Sequence, residues 1–170
     1  NTVGRQSKNR KRFIVSGINL AYIAGFLDGD GSLMIQVKKR KDSRLKTRFM
    51  LTICFYQDSR HEKPLRWIRE ILGIGYITKR NDGITELRIN GYKQVGQILE
   101  NLLPYIKFKK EQAKTIYKAA GVLSKKPNSK LSKKELLRLV GYIMIVQKAN
   151  YTTKKKKTRE DYLKILGLTP

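Results

Sequence analysis

Two carboxylates separated by one glycine stand at the end of the most helix-like apolar segment of the chain. The segment reads LAYIAGFLDGDGS, and Asp28 and Asp30 follow its small and apolar residues. Aspartates at this spacing resemble the start of a calcium-binding loop, which needs glycine at its sixth position and glutamate at its twelfth. Leu33 and Lys39 occupy those positions, so the calcium loop is excluded. A structural interpretation stays open, in which Asp28 or Asp30 only caps the turn after a core helix.

Small residues line one side of this predicted helix. Helical periodicity separates a small stripe from a neighbouring apolar stripe. The small stripe consists of Ala21, Ala24, Gly25 and Asp28, and the apolar stripe of Leu20, Ile23 and Leu27. A stripe of alanine and glycine allows another backbone to approach closely, either from the same domain or from a partner.

The composition indicates a basic globular protein that binds a polyanion. The 170 residues include 38 Lys and Arg against 13 Asp and Glu, a formal net charge of +25 that is spread along the whole chain. Such a field concentrates nucleic acid. One cysteine and one histidine exclude a disulfide framework and a zinc site built from those residues. We expect no transmembrane helix, no signal peptide and no small-molecule cofactor, and a reducing compartment inside the cell.

Periodicity predicts an α+β fold with a repeated strand–strand–helix unit. Apolar residues alternate at period two in four segments and recur at helical spacing in the others. The predicted strands are 33–40, 48–57, 74–80 and 84–90. The predicted helices are 19–28, 64–72, 92–103, 109–122, 132–148 and 158–166. Asn19 is the expected cap of the first helix, Pro64 and Gly73 bound the second, and Ser132 with Glu135 forms a capping box at the start of the fifth. This order predicts a four-stranded antiparallel sheet backed by helices. Residues 1–17 are expected to form a flexible basic arm before a single domain, 18–170, with its core in 18–122 and a helical extension in 123–170.

The stretch IAGFLDGDG, residues 23–31, resembles the motif that names the LAGLIDADG homing endonucleases. The resemblance implies an αββαββα core whose saddle-shaped antiparallel sheet lies along double-stranded DNA. It also implies an intracellular protein of an organelle, chloroplast or mitochondrion, or of a prokaryotic cytoplasm. The implied activity is metal-dependent cleavage of both DNA strands at a long, roughly palindromic site, leaving 3′ overhangs and promoting intron mobility.

The same resemblance assigns roles at the reacting phosphate. The carboxylate of Asp30 and the backbone carbonyl of Gly29 are the implied metal ligands, with Mg²⁺ as the expected ion and Mn²⁺ or Ca²⁺ as possible occupants. Gln57 is the implied holder of the water network, and Lys109 the implied stabiliser of phosphate charge. His61 falls where relatives carry a basic or polar residue, and it is equally well explained as a solvated residue before a helix.

A single copy of the motif implies a homodimer. Members with one copy cross their motif helices at a two-fold axis, which brings two acidic residues together. The residues expected at this interface are Ala21, Ala24, Gly25 and Asp28, although Asp28 is also suited to orienting the turn.

The outward side chains of the strands are predicted to contact DNA. They mix hydrogen-bond donors and acceptors, as readout in the major groove requires. The predicted DNA-binding residues are Met34, Gln36, Lys38, Arg40, Arg48, Thr52, Thr78, Arg80, Glu86 and Arg88. Lysines at 125, 126, 130, 133 and 154–157 are expected to contact phosphates without reading sequence.

Two other functions remain as alternatives. The same fold assists intron splicing in some relatives, which makes an RNA-binding maturase the second interpretation, although those proteins usually carry two motif copies. A DNA-binding regulator that has lost catalysis is the third. The presence of Asp30, Gln57 and Lys109 together argues against the third interpretation.

Overall fold

The structure is a computed structural model that describes residues 15–40, 46–150 and 155–169. Nearly all of the predicted basic arm, the turn after the first strand and the start of the predicted linker lie outside these residues. Among the described residues, no helix combines the length and the apolar character that crossing a bilayer requires.

Helix α1 spans Gly17–Asp30 and contains both aspartates of the motif. It is longer than predicted at both ends. Ser16, rather than the predicted Asn19, is its N-cap, and the Ser16 side chain accepts a hydrogen bond from the backbone N–H of Asn19 at 3.3 Å. Ile23, Ala24 and Leu27 are buried against the sheet, so α1 presents one side to the core.

Four antiparallel strands follow as two hairpins. They are β1 (Gly31–Lys39), β2 (Thr47–Asp58), β3 (Tyr76–Lys79) and β4 (Ile84–Asn90), in the order β1-β2-β4-β3. Gly31 pairs with Phe55 and Leu33 with Ile53, so the apolar residues predicted to point inward share the core face. β1 begins directly after Asp30, which fixes the end of α1 at one edge of the sheet.

Helices cover the core face of the sheet and extend past it. They are α2 (Lys63–Leu72), α3 (Tyr92–Leu102), α4 (Lys110–Leu123), α5 (Lys133–Ala149) and α6 (Arg159–Ile165). The predicted stop of α2 is Gly73, which takes a left-handed φ of 67° that glycine adopts without strain. The predicted capping box opens α5 through Ser132 and Glu135.

The core is one continuous apolar cluster that joins the sheet to α1–α5 and to Tyr162 of α6. The element order αββαββα, followed by three more helices in the described residues, is the one predicted. The α+β class and the four-stranded antiparallel sheet are therefore confirmed.

Candidate nuclease site

Asp28 ties the end of α1 to the start of α4. Its Oδ2 accepts hydrogen bonds from the backbone N–H groups of Lys107 (2.7 Å) and Phe108 (3.1 Å). Its Oδ1 accepts one from the backbone N–H of Lys109 at 2.9 Å. Burial alone raises the pKa of Asp28, but these donors and the Lys109 ammonium outweigh burial and hold the pKa below its ordinary value of 3.8. Asp28 therefore folds the chain as a carboxylate.

The side chain of Lys109 also joins the start of α4 to the end of α1. Its ammonium Nζ donates to the backbone carbonyls of Leu27 (3.0 Å) and Asp28 (2.5 Å), two of the last-turn carbonyls that lack helical partners. Desolvation lowers the pKa of Lys109 below its ordinary value of 10.5, and the charges of Asp28 and Asp30 only partly offset this. The fold thus places a cation beside the last turn of the motif.

Asp30 differs from Asp28 in exposure and in hydrogen bonding. It is exposed, and it makes no hydrogen bond or salt bridge with any residue that the structure describes. The next residue, Gly31, is needed for the turn from helix to strand, because a Cβ there would lie 2.8 Å from the carbonyl oxygen of Leu27. Gly29 is also exposed, and a Cβ on it would meet no described atom within 4 Å.

The donor set at this end of α1 fits a hard divalent cation. Asp30 offers a carboxylate and Gly29 a last-turn carbonyl, and oxygen atoms are the ligands that Mg²⁺ prefers. One chain supplies too few ligands for a closed site, since the described residues contain no group of three or more His, Cys, Asp and Glu that could hold a metal ion. The remaining ligands have to come from water, from substrate oxygens or from a second chain.

Gln57 and His61 lie at the C-terminal end of β2. Gln57 is the second-last residue of the strand, and His61 follows the strand by three residues. The Gln57 Oε1 accepts a hydrogen bond from the backbone N–H of Asp58 at 2.9 Å, so this amide folds back on its own strand. His61 is exposed at the end of a short 3-10 helix, Ser59–His61. No hydrogen bond joins either side chain to Asp30 or Lys109 in the described part of the chain.

One face of the sheet is polar, and most of the predicted DNA-binding residues lie on it. We call it the polar sheet face. Its members are Ser32, Met34, Gln36, Lys38, Arg48, Met50, Thr52, Cys54, Tyr56, Tyr76, Thr78, Glu86, Arg88 and Asn90. Lys38, Arg48 and Thr78 are exposed, and Met34, Gln36 and Arg88 are half-buried.

Two predicted DNA-binding residues are corrected by their burial. Thr52 is fully buried, and its hydroxyl donates to Oδ1 of Asn90 at 2.7 Å, so it has no surface with which to contact a ligand. Glu86 is only 8% exposed, and its carboxylate accepts a hydrogen bond from Nε of Arg88 at 2.9 Å. Glu86 therefore orients Arg88. Both residues lie on the inner strands β2 and β4, which have a neighbouring strand on each side.

The strands end one residue before two of the predicted DNA-binding arginines. β1 ends at Lys39 and β3 at Lys79, so Arg40 and Arg80 lie in the adjoining turns. Arg80 pairs with Asp82 at 2.7 Å and is exposed. Among the predicted phosphate contacts, Lys126 is paired with Glu135 at 2.8 Å, and Lys154 lies outside the described residues.

The exposed side of α1 is narrower than the small stripe predicted. Ala21 and Gly25 are exposed, and a Cβ on Gly25 would meet no described atom within 4 Å. Ala24 is a correction, because it is fully buried in the chain's own core and has no surface to lose to a partner. Ile18 and Tyr22 extend the exposed side toward the start of the helix, 83% and 52% exposed.

Comparison with known proteins identifies the family. A family model described as LAGLIDADG endonuclease matches residues 23–120, more than half of the chain. The chain belongs to the LAGLIDADG endonuclease family. Its α+β fold and its endonuclease activity, both predicted from the sequence, are thereby confirmed.

Similar proteins are named as DNA endonucleases. The chain is 35% identical over 113 residues to the DNA endonuclease I-CvuI of Chlorella vulgaris, across 66% of this chain and 68% of that protein. It is 26% identical over 147 residues to the DNA endonuclease I-CreI of Chlamydomonas reinhardtii, across 86% and 88%.

A crystal structure of the homing endonuclease I-CvuI in complex with its target, in the presence of calcium, matches with a TM-score of 0.79 and 30% identity. The match covers 91% of this chain and 98% of that one. An archaeal intron-encoded homing endonuclease, I-Vdi141I, complexed with DNA, shares the fold with a TM-score of 0.75 and 21% identity, over 88% and 95%.

Sequence reasoning missed a polar cavity beside this LAGLIDADG site. Its lining includes Gln112 of α4, Asn150 after α5, and the hydroxyls of Ser32 and Tyr56, which lie 3.0 Å apart. The sequence did contain a signal for Gln112. It follows Lys109 by three positions, a spacing that places two residues on the same side of a helix. No local sequence pattern predicts a role for Asn150, because only the packing of α5 on β1 brings this residue to the site.

Proposed function

We propose that this chain is a site-specific DNA homing endonuclease that acts as a homodimer. It makes a metal-dependent break in both strands of a long, roughly palindromic duplex site, leaves 3′ overhangs and thereby promotes intron mobility. The observation that carries the proposal is the exposed carboxylate of Asp30 at the end of the motif helix, which makes no hydrogen bond or salt bridge with a described residue, and the Lys109 ammonium beside the same turn.

The exposed side of α1 supports the homodimer. Gly25 and Gly29 are small, yet no described residue of their own chain requires this small size, since a Cβ on either would meet no described atom within 4 Å. Close approach of a second helix would require it. An apolar groove lined by Ile18, Tyr22 and Trp67 continues this surface, and exposed apolar area of this kind is typical of an interaction site.

The metal is proposed to be Mg²⁺, held by Asp30 and the Gly29 carbonyl of each chain, with Mn²⁺ or Ca²⁺ able to occupy the same oxygens. A divalent cation there would supply Lewis-acid stabilisation of the attacking and leaving oxygens of the phosphodiester. Two crossed α1 helices would bring two such ligand pairs together. The dimer would then supply ligands that one chain lacks among its described residues.

The remaining residues are proposed to act on the phosphate and its water. Lys109 has two protons on helix carbonyls and a third left to donate, so it can stabilise charge on a phosphate oxygen. Gln57 keeps its amide NH₂ for ordering water, because only its Oε1 is bonded among the described residues. His61 is exposed and suited to polarising water or contacting a phosphate.

The exposed part of the polar sheet face is proposed to read the DNA. Arg and Lys suit guanine, and Gln suits adenine. The proposed readers are Met34, Gln36, Lys38, Arg40, Arg48, Thr78, Arg80 and Arg88. The formal charge of +25 would steer the duplex onto this face. We also propose that residues 18–170 act as one domain, in an organelle or a prokaryotic cytoplasm.

The test is cleavage of a randomised duplex-DNA library with Mg²⁺ present or chelated, followed by sequencing of the ends. We expect staggered 3′ ends at one site with two-fold symmetry, only when Mg²⁺ is present. Mg²⁺-independent ends, or no cleavage with tight binding to structured RNA, would contradict the proposal and favour the maturase.

A further inference from the structure

A polar cavity of about 380 Å³ opens beside the proposed metal ligands. Gly29 and Lys109 belong to its wall, and the hydroxyls of Ser32 and Tyr56 line it from the sheet. Asn150 closes it from the end of α5, where its amide makes a 3.4 Å hydrogen bond to the carbonyl of Leu33. The cavity is thus built from four separate parts of the fold: the end of α1, the sheet, the start of α4 and the end of α5.

Gln112 is the buried polar residue of this cavity that lacks a partner. Its side chain is 94% buried, as its exposed fraction is 6%, and it lines the cavity from the first turn of α4. It makes no hydrogen bond with any residue that the structure describes. Asn128 Oδ1, and no atom of Gln112, is the fully buried side-chain polar atom without a partner among the described residues, so the Gln112 amide opens onto the cavity and is within reach of a ligand that enters it.

The lining favours an anion as that partner. Lys109 contributes a positive charge, Gln112 and Asn150 contribute amide donors, and no described carboxylate lines the cavity. The backbone N–H groups that lead into α4 already donate to Asp28, so the donors available in the cavity are those of its side chains. In an endonuclease of this charge, the anion at hand is a phosphate of the DNA backbone.

We infer that Gln112 donates a hydrogen bond to a backbone phosphate of the bound DNA strand, in the cavity next to the metal ligands. The inference rests on the proposed function only in taking duplex DNA as the ligand. It adds a substrate contact outside the motif, and it makes α4 part of the surface that positions the scissile strand.

The test compares Gln112→Leu and Gln112→Glu with Gln97→Leu and Gln97→Glu, since Gln97 is an exposed glutamine on α3. Affinity is measured by fluorescence anisotropy on a duplex selected by binding without divalent metal. We expect Gln112→Leu to bind about tenfold more weakly, the loss of one hydrogen bond to a charged group. Gln112→Glu should lose more, by repulsion, and the Gln97 variants should bind like the parent.

Thermal melting separates this role from a structural one. Because the amide makes no hydrogen bond with a described residue, Gln112→Leu should melt at or above the temperature of the parent. A melting temperature several degrees lower with unchanged affinity would overturn the inference and make Gln112 a packing residue. Equal losses of affinity in the Gln97 variants would overturn it as well.

Neutral phosphates locate the contact. In the same duplex, each phosphate near the centre is replaced singly by a methylphosphonate. We expect one position per half-site where the parent loses affinity and Gln112→Leu loses nothing further, as coupled partners do. Additive losses at every position would overturn the inference. A parent that binds but never cuts would contradict the proposed function and leave this comparison intact, and one that binds no duplex would contradict both.

Discussion

The two faces of helix α1 differ in how completely the chain's own residues cover them. On one face, Ala24 is fully buried and Asp28 accepts three backbone hydrogen bonds. On the other, Gly25 and Asp30 are exposed, and Asp30 makes no hydrogen bond within the described residues. One nine-residue motif therefore serves folding on one side and is left open for assembly and chemistry on the other.

The difference shows that residue type alone does not assign a role in this motif. Asp28 and Asp30 are the same amino acid two positions apart, and the helix turns them into different surroundings. Asp28 meets the start of α4, whose backbone N–H groups satisfy it. Asp30 follows at the junction with β1, where no described group pairs with it.

The largest expected effect is at the open face. Asp30→Asn removes a carboxylate that makes no hydrogen bond or salt bridge within the described residues, so cleavage should fall about a thousandfold or more through loss of metal-dependent charge stabilisation. Melting temperature should stay unchanged, and DNA affinity should be equal or higher because a negative charge is gone. Glu160→Gln, an exposed change on α6, is the control. Metal-dependent cutting by Asp30→Asn at the parental rate would remove Asp30 from the proposed site.

The second effect tests assembly. Gly25→Leu places a bulky side chain where a second helix is proposed to cross, and the symmetry of a dimer repeats the clash. Self-association should weaken about a hundredfold, with the monomer still folded. Sedimentation velocity measures the association and circular dichroism the fold. Gly121→Leu, at another helical glycine whose Cβ would meet no described atom within 4 Å, should leave association unchanged. If Gly25→Leu and Gly121→Leu associate equally well, the exposed face of α1 is not the dimer interface.

A third, smaller effect belongs to the covered face. Asp28→Asn replaces one carboxylate oxygen by an NH₂ group that faces backbone donors. The free energy of unfolding should fall by about 2 kcal/mol, and Tm by about 5 °C at fixed protein concentration. Denaturant unfolding of Asp28→Asn and Asp30→Asn side by side is the measurement. If both variants lose the same free energy of unfolding, Asp28 does not have the stabilising role that distinguishes it from Asp30.

The smallest effect is the pH dependence of that stability difference. The folded pKa of Asp28 lies below its ordinary value of 3.8, so its contribution is complete above that value. It is lost as pH falls through the lower folded pKa. The parent and Asp28→Asn should therefore differ in stability at pH 7 and converge once the pH has fallen below the folded pKa of Asp28. A difference that persists unchanged in acid would mean that the ionised carboxylate is not what stabilises the junction.

The sequence by itself determined the order of elements and the motif. Period-two alternation in β1 and β2 marked the core face, since strand geometry fixes which residues share a side. Pro64 and Gly73 bounded α2, and Ser132 with Glu135 opened α5, because these residues act through their own local backbone. Asp30, Gly29 and Lys109 came from the motif and from its resemblance to a family.

Only the tertiary structure decided what each polar residue touches. Thr52 and Glu86 alternate outward like true surface residues, yet their neighbours on adjacent strands bury them. Asp28 meets residues about eighty positions away, and Gln112 reaches the site through the packing of α4 on β1. Burial and partners depend on elements distant in the chain, and local periodicity carries no information about those contacts.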